Sequence, residues 1–220
     1  MRRPAAVLFD CDGVLADSEH LINVIVAEDL TARGWRISAD QARETFLGMA
    51  VPDMLPVMEA RVGPLGQAWQ AEMAARISRR METDLQPIPG AMAALAAVRA
   101  AGIPMACASN SGRIELLSKI AVLGLGDHFG GRLFSYQDVP RPKPHPDIYR
   151  AAAAACGAAP EACVVVEDSL LGARAGIAAG CRVLGYARET EPSVLAAVGA
   201  EPFDDMAALP RLIGIASDGD

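Results

Sequence analysis

Several features are missing from this chain, and each absence removes a class of function. No Cys-x-x-Cys pair occurs, and the five cysteines (Cys11, Cys107, Cys156, Cys163 and Cys181) are odd in number. A disulfide framework and a structural zinc site are therefore not expected, and a reducing compartment suits the composition. No run of lysine and arginine appears and the formal net charge is −7, so a polyanion such as nucleic acid is repelled overall. The start Met1-Arg2-Arg3-Pro4 and the brief apolar run behind it are too short for a signal peptide or a membrane helix. A cytoplasmic protein without a membrane partner is expected. Gly-x-Ser-x-Gly and Gly-Lys-Ser/Thr are both absent, which removes the serine-hydrolase elbow and the Walker loop. His20, His128 and His145 lie apart without metal-ligand spacing, and solvated or structural roles are the default for each. Gly124, Gly126 and Gly130 follow a helical pattern at the wrong spacing for a dinucleotide fingerprint and read as a turn. Aromatic residues are few; small residues, alanine above all, take their place and favour close packing of helices on a sheet.

What is present begins with a short apolar strand, Val7-Leu8-Phe9, that ends in Asp10-Cys11-Asp12-Gly13. Side chains alternate along a strand, so Asp10 and Asp12 leave on the same side, while Cys11 reads as a small buried residue facing away. Two carboxylates so placed repel unless a cation or a shared proton offsets the charge. The next block carries only helical patterns, near 17–33, 39–46, 52–61 and 66–82, with Asp17 or Ser18 able to cap the first and Gly34 to stop it. Two prolines and Gly90 then break the pattern at 85–90.

Beyond Gly90 the rhythm becomes alternation. Helices are expected at 91–100, 112–123, 146–156 and 169–179, and strands at 103–108, 133–135, 163–166 and 182–186. Alternation with continuous apolar strands argues an α/β fold, a Rossmann-like parallel sheet with helices on both faces. The 220 residues then divide into a core, 1–16 with 85–220, and an all-helical insertion, 17–84.

Ligands of open parallel sheets bind beyond the carboxyl ends of the strands. That rule selects Asp10 and Asp12, then Ser109-Asn110-Ser111, then Arg141-Pro142-Lys143-Pro144, then Glu167-Asp168-Ser169. Asp10, Asp12, Glu167 and Asp168 are hard oxygen donors suited to Mg²⁺. The Ser109 hydroxyl, the Lys143 ammonium and backbone N–H groups suit phosphate oxygens. A carboxylate facing a lysine and a cation is an arrangement for phosphoryl transfer, in which one carboxylate attacks and the other handles the proton.

These segments resemble the haloacid dehalogenase-like superfamily, in the branch with a helical cap inserted after the first strand. The matching stretches are Phe9-Asp10-Cys11-Asp12-Gly13-Val14-Leu15 with Asp17-Ser18-Glu19, Ser109-Asn110-Ser111, Lys143-Pro144 with Pro146-Asp147, and Val165-Val166-Glu167-Asp168-Ser169. The resemblance implies that Asp10 is the nucleophile and a Mg²⁺ ligand. It implies that Asp12 is the general acid/base, with its backbone carbonyl on the metal. Ser109, Lys143 and the Asn110 backbone would hold the phosphate. Asp168 would ligate Mg²⁺, and Glu167 would do so directly or through water. It further implies a phosphatase acting on a small phosphorylated metabolite, a sugar phosphate or phosphorylated acid, with the cap choosing the substrate. Dehalogenases of this fold lack the second aspartate, so Asp12 speaks against that activity. Phosphoglucomutase relatives usually carry a histidine in the first cap helix and a cation shortly after a cap glycine. Here Ile22 stands at the first place, and Gly48-Met49-Ala50-Val51-Pro52-Asp53 contains no cation. Met49, Met54 and Trp69 read as core packing, and neither those three nor Arg61 is assigned to the site. Monomer and homodimer are both compatible with the sequence.

Overall fold

The computed structural model describes residues 3–47, 49 and 51–215; Met1, Arg2, Gly48, Ala50, residues 216–220 and the Glu19 side chain lie outside that description. Strand β1 (Ala6–Phe9) is followed by four helices, α1 (Glu19–Ala32), α2 (Ala39–Phe46), α3 (Val51–Val62) and α4 (Gln67–Asp84). The chain then alternates through α5 (Ala91–Ala100), β2 (Met105–Ala108), α6 (Arg113–Val122), α7 (Gly126–Phe129), β3 (Leu133–Phe134) and α8 (Asp147–Ala155). It continues through β4 (Cys163–Glu167), α9 (Leu170–Ala179), β5 (Arg182–Tyr186), α10 (Pro192–Ala197), β6 (Glu201–Phe203) and α11 (Leu209–Leu212). Every strand pair is parallel, in the order β3-β2-β1-β4-β5-β6. This is the expected Rossmann-like sheet with a helical insertion after its first strand.

The apolar runs sort by strand alternation. Val7 and Phe9 join Val164 and Val166 in one buried layer, which continues into the inserted helices through Ile25, Met58, Met73 and Met81. Ala6 and Leu8 join Val165 in a second layer against Ala152 and Ala153 of α8 and Ala173 and Ala175 of α9. Small side chains bring those two helices close to the sheet, which is what the alanine-rich, aromatic-poor composition allows.

The chain leaves the core and re-enters it side by side. Ala16 forms an antiparallel bridge with Pro87. Asp17 N–H donates to the Gln86 carbonyl at 2.8 Å, and Ile88 N–H donates to the Leu15 carbonyl at 3.0 Å. Within the helical block, Ser38 starts α2 with a reciprocal cap. Its Oγ accepts from Gln41 N–H at 3.1 Å, and its own N–H donates to Gln41 Oε1 at 3.0 Å. Arg43 pairs with Glu189 at 3.1 Å and Arg188 with Asp17 at 2.9 Å, tying the block to the loop after β5.

Four short elements were not expected. The glycine cluster encloses the one-turn helix α7, which Gly130 stops in the left-handed conformation, so it is more than a turn. α10, β6 and α11 follow the last expected strand. β6 has three residues and contains Pro202, which an edge strand tolerates because one side of it needs no ladder donor. Such pieces are too short to show a period. Among the described residues no helix is long and apolar enough to cross a membrane, and all five cysteines are free.

Candidate active site

Register brings the strand ends together. Phe9, the last residue of β1, lies beside Cys107 of β2 and Val166 of β4. Asp10 N–H continues the ladder to the Val166 carbonyl at 2.9 Å. The chain then turns, with Leu15 and Ala16 N–H both donating to the Cys11 carbonyl. Cys11 is fully buried in the apolar layer, as alternation requires. Gly13 holds the turn at φ +71°, and a Cβ there would fall 1.9 Å from Asp168 Oδ2. Glycine is demanded at this position by backbone angle and by the close approach of a carboxylate.

Lys143 is 2% exposed although it lies between two prolines in a loop. Its Nζ sits 2.7 Å from Asp10 Oδ1 and 2.5 Å from Glu167 Oε1. Tyr149 supports this group twice: its hydroxyl donates to Glu167 Oε1 at 2.8 Å, and its ring centroid lies 5.0 Å from the ammonium. The other Glu167 oxygen accepts from Asp168 N–H, Ser169 N–H and Ser169 Oγ, each at 3.0 Å. The Asn110 side chain clamps the Lys143 backbone, accepting from its N–H at 3.0 Å and donating to its carbonyl at 3.3 Å. Gly172 of α9 makes room for Glu167, because a Cβ there would fall 1.6 Å from Oε1.

Burial, and then the neighbouring charge of Glu167, push the Asp10 carboxyl up to about 8 against the pull of Lys143. Burial disfavours the Lys143 ammonium, but the charges of Asp10 and Glu167 outweigh it and hold this lysine above its ordinary value.

Asp12 belongs to a second cluster that the sequence did not reveal. Lys119 of α6 is fully buried and pairs with both Asp12 Oδ1 and Glu115 Oε1. Its Nζ also lies 2.8 Å from Ser111 Oγ. Ser111 Oγ is 2.8 Å and Ser109 Oγ 3.2 Å from Asp12 Oδ2. Ser18 stands immediately before α1, in the capping position, but makes no capping bond; its hydroxyl donates to Asp12 instead. Burial by itself would raise the Asp12 carboxyl. The Lys119 charge and the bonds from Lys119, Ser18 and Ser111 outweigh it and hold Asp12 below the usual range. Glu115 and Lys119 are four apart and resemble a surface ion pair. The available signal was their helix: Lys119 shares the apolar stripe of Leu116 and Ile120, so it had to point inward.

One oxygen each from the buried Asp10, Glu167 and Asp168 lies within 4.8 Å of the others. Three converging carboxylates make a hard-oxygen donor set of high negative charge, which a divalent cation fits. The site opens into a cavity of about 330 Å³ whose floor holds Asp10, Asp12, Ser109, Asn110, Lys143 and Asp168. Its roof comes from the inserted helices. Met49, Met54 and Trp69 pack against the core as expected, and their half-buried side chains also line that wall, as does that of Ile22. Arg61 is elsewhere, over the Trp35 ring at 5.4 Å.

The sheet and the polar groups at its strand ends define an enzyme that handles a phosphoryl group. A family model for haloacid dehalogenase-like hydrolases matches residues 4–180. The chain is 29% identical over 214 residues to the 6-phosphogluconate phosphatase of Escherichia coli (strain K12), covering 96% of each protein. It is 31% identical over 215 residues to the phosphoglycolate phosphatase of Rhodobacter capsulatus, covering 94% of this chain and 96% of the relative. CbbY from Rhodobacter sphaeroides, solved in complex with phosphate, superposes with a TM-score of 0.81 at 28% identity, covering 94% and 96% of the two chains. The chain belongs to the haloacid dehalogenase-like hydrolase family, as a phosphoric monoester hydrolase.

Two variants test the buried ion clusters. Gly172→Ala keeps a helical backbone but drives its methyl group into Glu167, which cannot retreat without breaking its bonds. It is expected to lose about 1–3 kcal/mol of stability, read from the urea midpoint, and to lower turnover through Lys143; an unchanged midpoint would show that Glu167 can relocate. Lys119→Met leaves Asp12 and Glu115 facing each other without a cation and is expected to lose about 3–5 kcal/mol. A loss below about 0.5 kcal/mol, the range of ordinary surface substitutions, would mean that the ammonium contributes nothing net.

Proposed function

We propose that this chain is a Mg²⁺-dependent phosphatase that hydrolyses a small phosphorylated metabolite through an aspartyl-phosphate on Asp10. The observation that carries this reading is the convergence of Asp10, Asp12, Ser109, Lys143 and Asp168 on the floor of one cavity. In this proposal Asp10 and Asp168, with the Asp12 backbone carbonyl, hold the cation, and Glu167 completes the acidic group while anchoring Lys143. Ser109, Lys143 and the Asn110 backbone hold the phosphate. When bound, Mg²⁺ supplies positive charge that offsets the phosphate oxygens and favours ionised Asp10.

The first step is attack of an Asp10 oxygen on phosphorus. The bond from phosphorus to the ester oxygen breaks, and Asp12 delivers a proton to that leaving oxygen. In the second step Asp12 takes a proton from water as the water oxygen attacks phosphorus. The bond to Asp10 breaks, inorganic phosphate leaves, and both carboxyls return to their starting states. Lys119 and the hydroxyls of Ser18, Ser109 and Ser111 orient Asp12. The arriving dianion competes with Asp12 for these donors and raises its proton affinity, so that Asp12 takes up from solvent the proton it then delivers.

The helical block 17–84 acts as a cap, supported by the paired crossings at Ala16 and Pro87. Ile22 on the cavity wall, where mutase relatives usually carry a histidine, favours a phosphatase over a phosphosugar mutase. The five free thiols support a cytoplasmic location.

Release of phosphate from p-nitrophenyl phosphate is expected with Mg²⁺ and not with EDTA, and Asp10→Asn is expected to abolish it while leaving the circular dichroism spectrum unchanged. Turnover that survives EDTA, or survives in Asp10→Asn, would reject the mechanism. Metal affinity carries its own pH signature. The folded Asp10 carboxyl titrates near 8, so below that pH a proton must leave before a cation can take its place. Calorimetry should show the Mg²⁺ Kd falling by about tenfold per pH unit from about 6 to about 8 and levelling above. A flat profile over this interval would remove Asp10 from the ligand set.

A further inference from the structure

The floor of the cavity speaks for a phosphate, and its roof speaks for what the phosphate is attached to. Each of three inserted helices sends an i, i+4 pair into the cavity: Ile22 and Val26 from α1, Met54 and Met58 from α3, Met73 and Ile77 from α4. Among the described residues, none of those on the roof carries a charge; Asn23 and Gln70 contribute two neutral amides. The arginines of the helical block stand away from the cavity. Arg33 pairs with Asp29, Arg43 with Glu189, Arg76 with Glu28 and Arg80 with Asp84; Arg61 lies over Trp35, and Arg36 and Arg79 are exposed at the surface.

The cations that do line the cavity belong to its floor and rim. Lys143 is held by Asp10 and Glu167. Arg113 donates to the Leu133 carbonyl at 2.7 Å and to Asp138 at 3.0 Å. The remaining charge on the rim, Glu115, has the wrong sign for a substrate carboxylate.

We infer that the substrate is a phosphate monoester of an uncharged, largely apolar alcohol, with polar atoms facing the roof for at most its two amides. The inference rests on the phosphatase reading of the same site and sharpens it. A phosphorylated acid would bring its carboxylate against methionine and isoleucine with no counter-ion, and desolvation would oppose binding. A polyol phosphate would leave most of its hydroxyls unpaired against the same wall. Apolar carbon gains by displacing water from it, and unbranched methionine side chains adapt to chains of differing shape. The cavity, about 330 Å³, falls in the range that takes whole small molecules.

The test is phosphate release, with Mg²⁺, from ethyl, butyl, hexyl and phenyl phosphate beside 6-phosphogluconate and phosphoglycolate. The expected result is a kcat/KM that climbs along the alkyl series by up to about fourfold per methylene. Hexyl and phenyl phosphate should exceed both phosphorylated acids by at least about tenfold. Higher kcat/KM for either acid would overturn the inference and leave the phosphatase standing; turnover of none of the six would reject the phosphatase and the inference with it. Met54→Arg, at a half-buried wall position, should shift the ratio of phosphoglycolate to hexyl phosphate by at least about tenfold toward the acid. If that variant does not fold, Ile22→Lys on the facing helix reads the same ratio. An unmoved ratio in a folded variant would show that the leaving group does not touch this wall and would overturn the assignment.

Discussion

A single buried ammonium, Lys143, makes the site possible. It lies between Asp10 and Glu167, two carboxylates that would otherwise repel each other inside a parallel sheet. Most other features of the floor protect that contact. Asn110 grips the lysine backbone, Tyr149 supports both the ammonium and Glu167, and Asp168 and Ser169, just ahead of α9, supply N–H groups to the far oxygen of Glu167. Gly172 vacates the space Glu167 occupies, and Gly13 vacates the space beside Asp168. The local backbone is shaped around charge, and the charge in turn requires the strands to end in register.

Lys119 repeats the device around Asp12 and Glu115. The two lysines divide the carboxylates into separate groups whose protonation is shifted in opposite directions: burial and the Glu167 charge outweigh Lys143 and raise Asp10, whereas Lys119 and its neighbouring donors outweigh burial and lower Asp12. Both directions oppose what the proposed attack on phosphorus would need, an ionised Asp10 and a protonated Asp12. Under the proposed mechanism a bound cation and a bound dianion would reverse both.

How much of this could be read beforehand depended on whether a residue's environment is local. Val7 to Phe9 and Cys163 to Val166 are unbroken apolar runs that only a doubly covered parallel strand explains, and the rule that ligands sit past strand ends then picked out the floor of the cavity. Lys119 escaped because its partner in sequence, Glu115, offers a sufficient surface explanation, whereas Asp12 is distant in the chain. Ser18 was recognisable as a helix-start residue, yet its hydroxyl serves Asp12 rather than the helix. Met54 and Trp69 were ambiguous for a different reason. An apolar side chain at helical spacing looks the same whether it meets another helix or a cavity, and only the packing of α1, α3 and α4 around a gap decides. β6, α10 and α11 fell below the length at which periodicity speaks.

The bridge between Ala16 and Pro87 has an architectural consequence. The excursion of roughly seventy residues begins and ends at hydrogen-bonded neighbours, so the sheet bears no stretched connection on its account. A tight turn would suffice to close the gap, and a replacement segment of another length would meet the same short span, since loop entropy grows only slowly with size. The sheet and its helical insertion are thus joined like a handle on a drawer: the attachment points stay put while what hangs between them is open to exchange.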